Sequence, residues 1–475
     1  MSKKTKIGII GAGPAGLFSA MQLIRNLSSK NISISIFDKG LSLEDRTKNI
    51  PCLKNDGICK KCNTCKILCG FGGSGLINDG KLVFSKEFGG NLQDILTNAH
   101  FNMYEKLSKG LYLSFIDGHT NGWYRSNNFP DWKRKVNKAG LDLLKGDYFH
   151  LGSDRALKVL ESIYTFLKKD SRVDFRFGHD VLFVNKEGNR FSVQYYLEKA
   201  DEHYTDKFDY LIVSPGRLGN SWFTNTAIGK SLDYFISPLD IGVRVELPYY
   251  VVDTIAKDLY EFKIHSVSTY GDLVRTFCFN HRGKVCVENN DGVITVNGYA
   301  NSTYDTNNSN FAVLVSVDPS APFKHPGEYC KGLAQITNYL AGDKSVIVQR
   351  LNDFVVGRAT TDERLEEVSF EPSIQGYPGN LNLVLPYRVY DSIKEFLIKL
   401  DRVIPGLLSD DTILYGIEIK TYSQRVKVDD KLRTDIENFY LIGDGSGLTR
   451  GLVQASMSGL LVADNVVESI KGSLF

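Results

Sequence analysis

A glycine-rich turn near the start of the chain restricts the fold more than any other feature. Residues 11–16 read Gly-Ala-Gly-Pro-Ala-Gly, a G-x-G-x-x-G pattern. The turn follows an apolar segment, residues 6–10, and opens a segment with apolar residues at helical spacing, residues 14–28. An alternating segment, residues 32–37, then ends in Asp38. Strand, helix and strand in such short succession predict a parallel pair joined by a crossover helix, the unit that binds dinucleotides.

Each glycine of this turn has an expected purpose. Gly11 permits the tight turn, Gly13 lets the backbone approach a pyrophosphate at the positive end of the helix, and Gly16 allows close helix–sheet packing. Asp38, at the end of the second predicted strand, is expected to accept hydrogen bonds from ribose hydroxyls. The predicted cofactor-binding residues of this part of the chain also include Pro14, Ala15 and Lys39.

The C-terminal part carries a second nucleotide-binding signal. Residues 438–444 predict a strand that ends in Gly443 and Asp444, and a helix rich in small residues fits 450–470. This segment resembles the second fingerprint of the FAD-dependent family that includes glutathione reductase. The resemblance implies that Asp444 binds the ribityl–pyrophosphate region of FAD. It also implies that the N-terminus of the last helix approaches the flavin, at Gly451 and Leu452.

Other segments extend the resemblance. Residues 208–216 resemble a strand-plus-glycine motif that passes near FAD in the same group, with Ser-Pro-Gly where Ala-Thr-Gly is usual, which implies a role for Gly216. Further stretches resemble the FAD-dependent dehydrogenase family of bacteria and archaea; they are residues 70–75 with 79–81, 240–246, 275–278, 296–298 and 443–451. The resemblance covers nearly the whole chain but implies little about the substrate. Gly73 and Val181 complete the predicted FAD-binding set.

The resemblance implies an α/β fold in several segments. A Rossmann-like FAD-binding domain of the glutathione-reductase type is expected, with an inserted β-rich α+β substrate domain. We predict that the FAD-binding domain comprises residues 1–85, 151–220 and 425–475. The substrate domain is predicted at 221–424, and an insertion or lid at 86–150.

The cysteines are concentrated in one segment, with five of the eight between Cys52 and Cys69. Cys59, Cys62, Cys65 and Cys69 match the spacing of a [4Fe–4S] run, although the proline that usually follows the fourth cysteine is absent. Three other interpretations stay open. Four thiolates also suit zinc, Cys65 and Cys69 stand where a flavin-linked redox disulfide would stand, and all the thiols could be inert.

Four basic residues in the family-like stretches are candidate catalytic residues: Lys81, Arg244, Arg275 and Arg450. Flavin chemistry favours positive potential near N1 of the ring, where the reduced form carries negative charge. Arg450 stands directly before the last predicted helix, whose N-terminus adds to that potential. An anionic substrate would be attracted to Arg244 or Arg275.

These features predict an FAD-dependent oxidoreductase that transfers a hydride or electrons to or from a small-molecule substrate. The sequence contains no second G-x-G-x-x-G about 150 residues after the first, where a separate NAD(P)H domain would carry it, so electrons are expected from the substrate, a transient NAD(P)H donor or an electron-transfer protein. A flavin-dependent nucleic-acid-modifying enzyme and a non-catalytic flavin- or metal-binding sensor are the alternatives. The net charge of +2 argues against nucleic acid. No apolar run is long enough to span a bilayer and no signal peptide precedes the first strand, so a cytoplasmic location is the default expectation.

Overall fold

The structure is a computed structural model of the chain. It describes residues 4–28, 31–48, 64–66, 68–75, 80–88, 90–116, 123–124, 128–235, 238–290, 293–299, 305–317, 326–342, 346–420 and 423–472. The chain divides into two compact units. Unit 1 comprises Met1–Trp123, Gly146–Ile236 and Ser423–Phe475, and unit 2 comprises Tyr124–Lys145 and Ser237–Tyr422. Residues of the predicted insertion are therefore found in both units.

The strands and helices are numbered separately in chain order. The strands are β1 (Thr5–Ile10), β2 (Ile32–Asp38), β3 (Lys81–Phe84), β4 (Trp123–Tyr124), β5 (Asp142–Leu144), β6 (Asp147–His150), β7 (Val173–Phe177), β8 (His179–Glu187), β9 (Arg190–Leu197), β10 (Glu202–Phe208), β11 (Tyr210–Val213), β12 (Tyr234–Phe235), β13 (Leu239–Pro248), β14 (Lys263–Val267), β15 (Leu273–Asn280), β16 (Lys284–Asn290), β17 (Val293–Tyr299), β18 (Asn308–Val317), β19 (Ile347–Arg350), β20 (Tyr377–Pro378), β21 (Ile413–Lys420), β22 (Arg425–Val426) and β23 (Phe439–Leu441). The α-helices are α1 (Pro14–Asn26), α2 (Leu43–Lys48), α3 (Asn98–Ser114), α4 (Phe129–Lys138), α5 (Gly152–Lys168), α6 (Asn220–Asn225), α7 (Ala227–Ser231), α8 (Tyr249–Leu259), α9 (Pro326–Ala341), α10 (Leu351–Val356), α11 (Asp362–Glu366), α12 (Tyr387–Asp401) and α13 (Leu452–Gly472).

A parallel sheet forms the centre of unit 1. Its strands lie in the order β23-β11-β1-β2-β7, and every neighbouring pair is parallel. The chain leaves β1 toward β2 on one side and later returns to β11 on the other side. The carboxyl ends of β1 and β11 therefore form a topological switch point, the place where open α/β sheets bind their ligands.

The two ends of the chain meet in unit 1, because α1 packs directly against α13. Small residues make this close approach possible: a Cβ added at Gly459 would lie 2.2 Å from the backbone oxygen of Ala15. Ser19 Oγ donates a hydrogen bond to the carbonyl oxygen of Gly459 across the contact, at 3.1 Å. Gln22 Nε2 donates to Asp464 Oδ1 at 2.7 Å. The N-terminal and C-terminal predicted nucleotide-binding segments consequently belong to one packed layer.

Unit 1 also contains smaller sheets beside the parallel one. Strands β8, β9 and β10 form an antiparallel sheet between β7 and β11 in the sequence. Strands β3, β6 and β4 form another sheet. In the described part of the chain, none of the helices combines the length and the apolar character that a bilayer crossing needs.

Unit 2 is built on a larger sheet with the strand order β20-β19-β21-β13-β18-β15-β14-β5. Alternation along β13 separates its two faces. Ile241, Val243, Val245 and Leu247 belong to a core cluster that includes apolar residues of α8 and α12. The opposite face carries polar residues, which are also buried: Asp240, Arg244 and Glu246 on β13, with Asn308 and Asn310 on β18 and Glu418 on β21. The hairpin β16–β17 packs on this polar face, where Val285 and Val296 belong to one small apolar cluster with Tyr415 and Val348.

Gly459 offers a test of the helix contact that unites the ends of the chain. Gly459→Ala should lower the free energy of unfolding by about 1–3 kcal/mol, because its Cβ meets backbone atoms of Ala15 rather than a flexible side chain. Gly472→Ala is the matched control, since it lies in the same helix and its Cβ would meet nothing within 4 Å. Urea unfolding measures both variants. Equal stability of the two variants would contradict close packing of α1 on α13.

Candidate functional site

The glycine turn of residues 11–16 lies at the carboxyl ends of β1 and β11. Gly11 N donates to Phe37 O at 2.7 Å, and Ser214 N donates to Ile10 O at 2.7 Å. Gly11 has a φ of 103°, and a Cβ there would lie 2.1 Å from the carbonyl oxygen of Ser214. Only glycine therefore fits the start of this turn.

The first turn of α1 is open to an anion. Gly13 is the N-cap residue and provides no side-chain cap, Pro14 occupies the start of the helix, and no acidic residue stands in the first turn. The first amide groups of a helix lack intrahelical acceptors and lie at the positive end of the helix dipole. A Cβ added at Gly13 would meet only the Cα of Gly73, at 3.9 Å. Backbone amides and free space at this point suit a diphosphate.

Asp38 ties the glycine turn to the segment that follows the cysteine cluster. Its carboxylate accepts hydrogen bonds from the backbone amides of Ala12 at 2.9 Å, Gly40 at 2.8 Å and Gly70 at 2.9 Å. A carboxylate has about four lone-pair positions, so these bonds leave about one for a ligand. Asp38 is thus an organiser of the turn, a role that the sequence analysis did not foresee. Its predicted contact with a ribose stays a prediction.

Asp444 stands at the start of the C-terminal half of the site. Burial raises the pKa of its carboxyl group, while a hydrogen bond from Thr449, the nearby charges of Arg217 and Arg450, and the amide of Gly451 act in the opposite direction. Thr449 Oγ1 donates to Asp444 Oδ1 at 2.7 Å. Thr449 is itself buried, so it fixes the carboxylate in one orientation. The second carboxylate oxygen can serve a ligand hydroxyl.

Glycine contacts bring the predicted FAD-binding segments together. Gly72 N donates to Ala12 O at 2.8 Å. A Cβ added at Gly443 would lie 3.0 Å from Ala15 Cβ, and a Cβ added at Gly445 would lie 2.7 Å from Gly216 O. One added at Gly75 would lie 2.8 Å from Leu452 Cδ2. Residues 11–16, 70–75, 214–216 and 443–452 therefore converge, with Arg450 next to Asp444.

Other predicted residues lie at different points of unit 1. Lys39 is exposed directly after Asp38, and Val181 is buried in β8, opposite Tyr195 of β9. Lys81 begins β3 and pairs with His150. A surface cavity of about 740 Å³ lies at the amino end of β23, the opposite end of this strand from Asp444. That cavity is therefore not part of the dinucleotide site.

The cysteine cluster falls partly outside the described residues, because Cys52, Cys59 and Cys62 are not among them. Cys65 and Cys69 are described, and Cys69 N donates to Cys65 O at 2.9 Å. Burial raises the pKa of the Cys69 thiol to about 11, with Lys39 acting in the opposite direction. Within the described ranges, no group of three or more His, Cys, Asp or Glu residues is placed to hold a metal ion. The iron–sulfur and zinc assignments receive no support and stay predictions.

The other two candidate catalytic residues belong to the polar face of unit 2. Arg244 is fully buried, donating through Nε and Nη2 to Asn310 Oδ1 and through Nη2 to Cys278 O. Arg275 forms an ion pair with the buried carboxylate of Asp240. Both guanidinium groups thus have carboxylate or amide partners inside unit 2. An anionic substrate would have to compete with these partners.

Several residues of the two sites were missed by the sequence analysis. Ser214 Oγ donates to Ile10 O at 2.9 Å and to Gly11 O at 3.1 Å, which explains why serine can stand where alanine is usual. Thr449 is five residues from Asp444 and orients its carboxylate, but no general sequence pattern indicates a hydrogen bond between residues at this spacing. Lys420 and Glu418 were not among the predicted site residues, because their burial depends on the whole sheet.

Comparisons with known proteins found a match to a family model and a relative in sequence. Residues 238–421 match the sequence profile of the family "FAD-dependent protein, C-terminal domain-like". An uncharacterized protein of Clostridium beijerinckii is 25% identical, over 98% of this chain and 81% of its own length. The family match supports FAD as the cofactor and an FAD-dependent enzyme as the class of protein.

Solved structures show weaker similarity. An aromatic hydroxylase from angucycline biosynthesis, CabE, aligns at a TM-score of 0.39 and 11% identity, over 98% of this chain and 63% of its own. A flavoprotein/dehydrogenase from Cytophaga hutchinsonii aligns at a TM-score of 0.38 and 11% identity, over 99% of this chain and 79% of its own. The p-nitrophenol 4-monooxygenase PnpA of Pseudomonas putida aligns at a TM-score of 0.37 and 10% identity, over 100% of this chain and 81% of its own. Similarity at this level assigns no reaction to the chain.

Asp444 gives a prediction about stability and pH. Because burial raises its pKa, the charged form is disfavoured in the folded protein. Asp444→Asn should therefore raise the free energy of unfolding of flavin-free protein at pH 7, since the amide keeps the acceptor for Thr449 without the charge. The gain should shrink as the pH falls through the raised pKa of the folded state, and it should vanish below the ordinary value of 3.8, where the carboxyl is protonated in both states.

The matched control for this pH series is Asp430→Asn, at an exposed position of the same unit. Its stability should follow that of the wild type at every pH, as measured by urea unfolding. If Asp444→Asn destabilises flavin-free protein at pH 7, the carboxylate contributes to the fold and is not held at a cost for ligand binding.

Proposed function

We propose that the protein is an FAD-dependent oxidoreductase whose cofactor lies along the convergence of residues 11–16, 70–75, 214–216 and 443–452. The observation that carries this proposal is the meeting of an uncapped helix N-terminus with a partly enclosed carboxylate from the other end of the chain. The helix N-terminus suits a diphosphate, and the carboxylate suits the hydroxyl groups of a polyhydroxyl chain. The family match of residues 238–421 supports the same cofactor.

The residues present fit FAD at several points. The amides at the start of α1, beside Gly13, would hold the diphosphate. Asp38 would keep the glycine turn in shape and retains an acceptor position for the adenosine ribose. Asp444, oriented by Thr449, would accept a hydrogen bond from the ribityl chain. This division of tasks corresponds to the glutathione-reductase-type arrangement predicted from the sequence.

When bound, FAD supplies a site that accepts and returns a hydride or single electrons. The contribution of this chain is electrostatic. Arg450 and the N-terminus of α13 would provide positive potential for the negative charge of a reduced ring. Gly451 and Leu452 open that helix without an acidic residue in the first turn. Lys81, at the start of β3, remains a candidate for a polar contact with the substrate.

The electron donor and the domain boundaries remain part of the proposal. The single glycine fingerprint favours electrons from the substrate itself, a transient NAD(P)H or a protein partner, and the cysteine cluster would provide a route if it holds iron and sulfide. A small-molecule substrate is expected in the β-rich segment around 221–424. The nucleic-acid-modifying and sensor alternatives have no observation in their favour.

Gly13 allows a test that separates cofactor binding from folding. Gly13→Ala adds a Cβ that meets no protein atom closer than 3.9 Å, yet it occupies the space expected for the diphosphate. We predict that the variant melts at the wild-type temperature without flavin and binds FAD at least about tenfold more weakly, a loss of about 1.4 kcal/mol. Titration of flavin-free protein with FAD, followed by flavin fluorescence, measures the affinity.

Gly332→Ala is the control, because its Cβ would also meet nothing within 4 Å and it lies in α9 of unit 2. Its FAD affinity should equal that of the wild type. A wild-type protein that is purified colourless and takes up no FAD would refute the proposed function. Wild-type affinity in the Gly13→Ala variant would refute the placement of the diphosphate.

A further inference from the structure

The turn that follows β11 is fixed to the loop that carries Asp444. Residues Arg217–Gly219 form one turn of 3-10 helix, which begins after Gly216 at a φ of 65°. Asn220 Nδ2, at the end of this turn, donates a hydrogen bond to Gly445 O at 2.7 Å. The two backbones also lie close together, because a Cβ added at Gly445 would lie 2.7 Å from Gly216 O. The backbone of this turn is therefore held in place beside Asp444.

The side chain of Arg217, in contrast, is exposed and takes no part in holding the turn. Within the described residues it forms no hydrogen bond and no ion pair. Arg172 of the same unit shows how a structural arginine differs, because it donates to Asp170 at 2.8 Å and to Ile24 O at 2.9 Å. A guanidinium carries five N–H donors and no acceptor, so a partner of Arg217 must present acceptor atoms. A fixed backbone that presents an unengaged side chain is pre-organised for a ligand.

Arg217 lies between the two halves of the proposed FAD site. Ser214, three residues earlier, donates through Oγ to Gly11 O at 3.1 Å, which joins the end of β11 to the glycine turn. On the other side, burial raises the pKa of the Asp444 carboxyl, and among the nearby charges Arg217 opposes this rise more strongly than Arg450 does. In a bound FAD, the part between the glycine turn and the ribityl chain is the diphosphate.

The charges around the convergence favour an anion. The four converging segments, with Arg217 added to the third, contain two cationic side chains and one carboxylate, namely Arg217, Arg450 and Asp444. A second group of charges, whose members act on one another, balances itself; it consists of Asp38, Asp180, Lys39 and Arg46. The N-termini of α1 and α13 add positive potential, each equivalent to about half a charge. Together these charges would balance the two negative charges of a diphosphate.

We propose that Arg217 binds the diphosphate of the cofactor, at the phosphate nearer the ribityl chain. The amides beside Gly13 would hold the other phosphate. The planar guanidinium can donate two parallel N–H groups to two oxygens of one phosphate, a geometry that lysine does not offer. Arg450 precedes α13 and would serve the flavin ring. The inference adds a charged side chain to a phosphate site otherwise built from backbone amides, and it rests on the proposed function.

Nucleotides of different length test this assignment on flavin-free protein. Arg217→Gln should weaken binding of FAD and of ADP about tenfold, since it removes a charge-assisted contact with a phosphate. Binding of AMP should not change, because AMP ends at the phosphate that the Gly13 amides hold. Flavin fluorescence measures the affinity for FAD, and isothermal titration calorimetry measures the affinities for ADP and AMP. The flavin-free variant should melt close to the wild-type temperature, because the side chain holds no other part of the fold.

A charge control and a salt series separate phosphate binding from a structural effect. Lys230→Gln removes a cation from an exposed position of α7 in the same unit, and it should bind FAD and ADP as the wild type does. Arg217→Lys should recover part of the lost affinity, because the charge stays and the planar fork is lost. The difference between wild type and Arg217→Gln should shrink as salt is added, since an exposed charge is screened.

Two results would overturn the inference. Wild-type affinity of Arg217→Gln for FAD and ADP would show that this arginine does not bind the cofactor. Weaker binding of FAD with unchanged binding of ADP would show that Arg217 acts through Asp444 or on the ring, not on the diphosphate. Failure of the proposed function differs from both results, because the wild-type protein would then bind no FAD.

Discussion

The contact between α1 and α13 supports everything else that we propose for unit 1. Gly459 has no side chain, and any Cβ there would collide with the backbone of Ala15. Ser19 Oγ donates a hydrogen bond to the carbonyl oxygen of Gly459 across the same contact. This contact holds β1 and β23 in one sheet, with β11 between them. The glycine turn and Asp444 are more than 400 residues apart in the sequence. Without close helix packing they could not act on the same molecule.

Polar groups in the two units serve different ends. In unit 1, Asp38 and Thr449 are satisfied by hydrogen bonds and shape the backbone and the carboxylate around an open space. In unit 2, Glu246 is likewise satisfied, by Tyr415, Ser373 and Asn308. Glu418, on the same face of the sheet, is not. Within one sheet, therefore, one buried carboxylate is held by hydrogen bonds and the other by the ion pairs with Arg244 and Lys420.

Much of unit 1 could be predicted from the sequence, because its signals are local. Apolar runs, Pro14 at the start of a helix and the glycine pattern predict β1, α1 and β2 within two residues of their observed ends. Helix α8 was missed inside a segment with β-type alternation. The burial of Arg244 and the hydrogen bonds from Ala12 and Gly70 to Asp38 were not predictable, since they depend on residues distant in sequence. The hydrogen bond from Thr449 to Asp444 is local, but no general sequence rule indicates it.

The central claim is that both ends of the chain bind one FAD molecule, the first through its diphosphate and the second through its ribityl chain. Competition by ADP tests it most directly, because ADP keeps the diphosphate and lacks the ribityl arm. The account predicts that Gly13→Ala weakens binding of FAD and of ADP alike, whereas Asp444→Asn weakens binding of FAD and leaves ADP unchanged. Wild-type FAD affinity in Asp444→Asn, together with loss in Gly13→Ala, would show that the C-terminal carboxylate does not hold the cofactor.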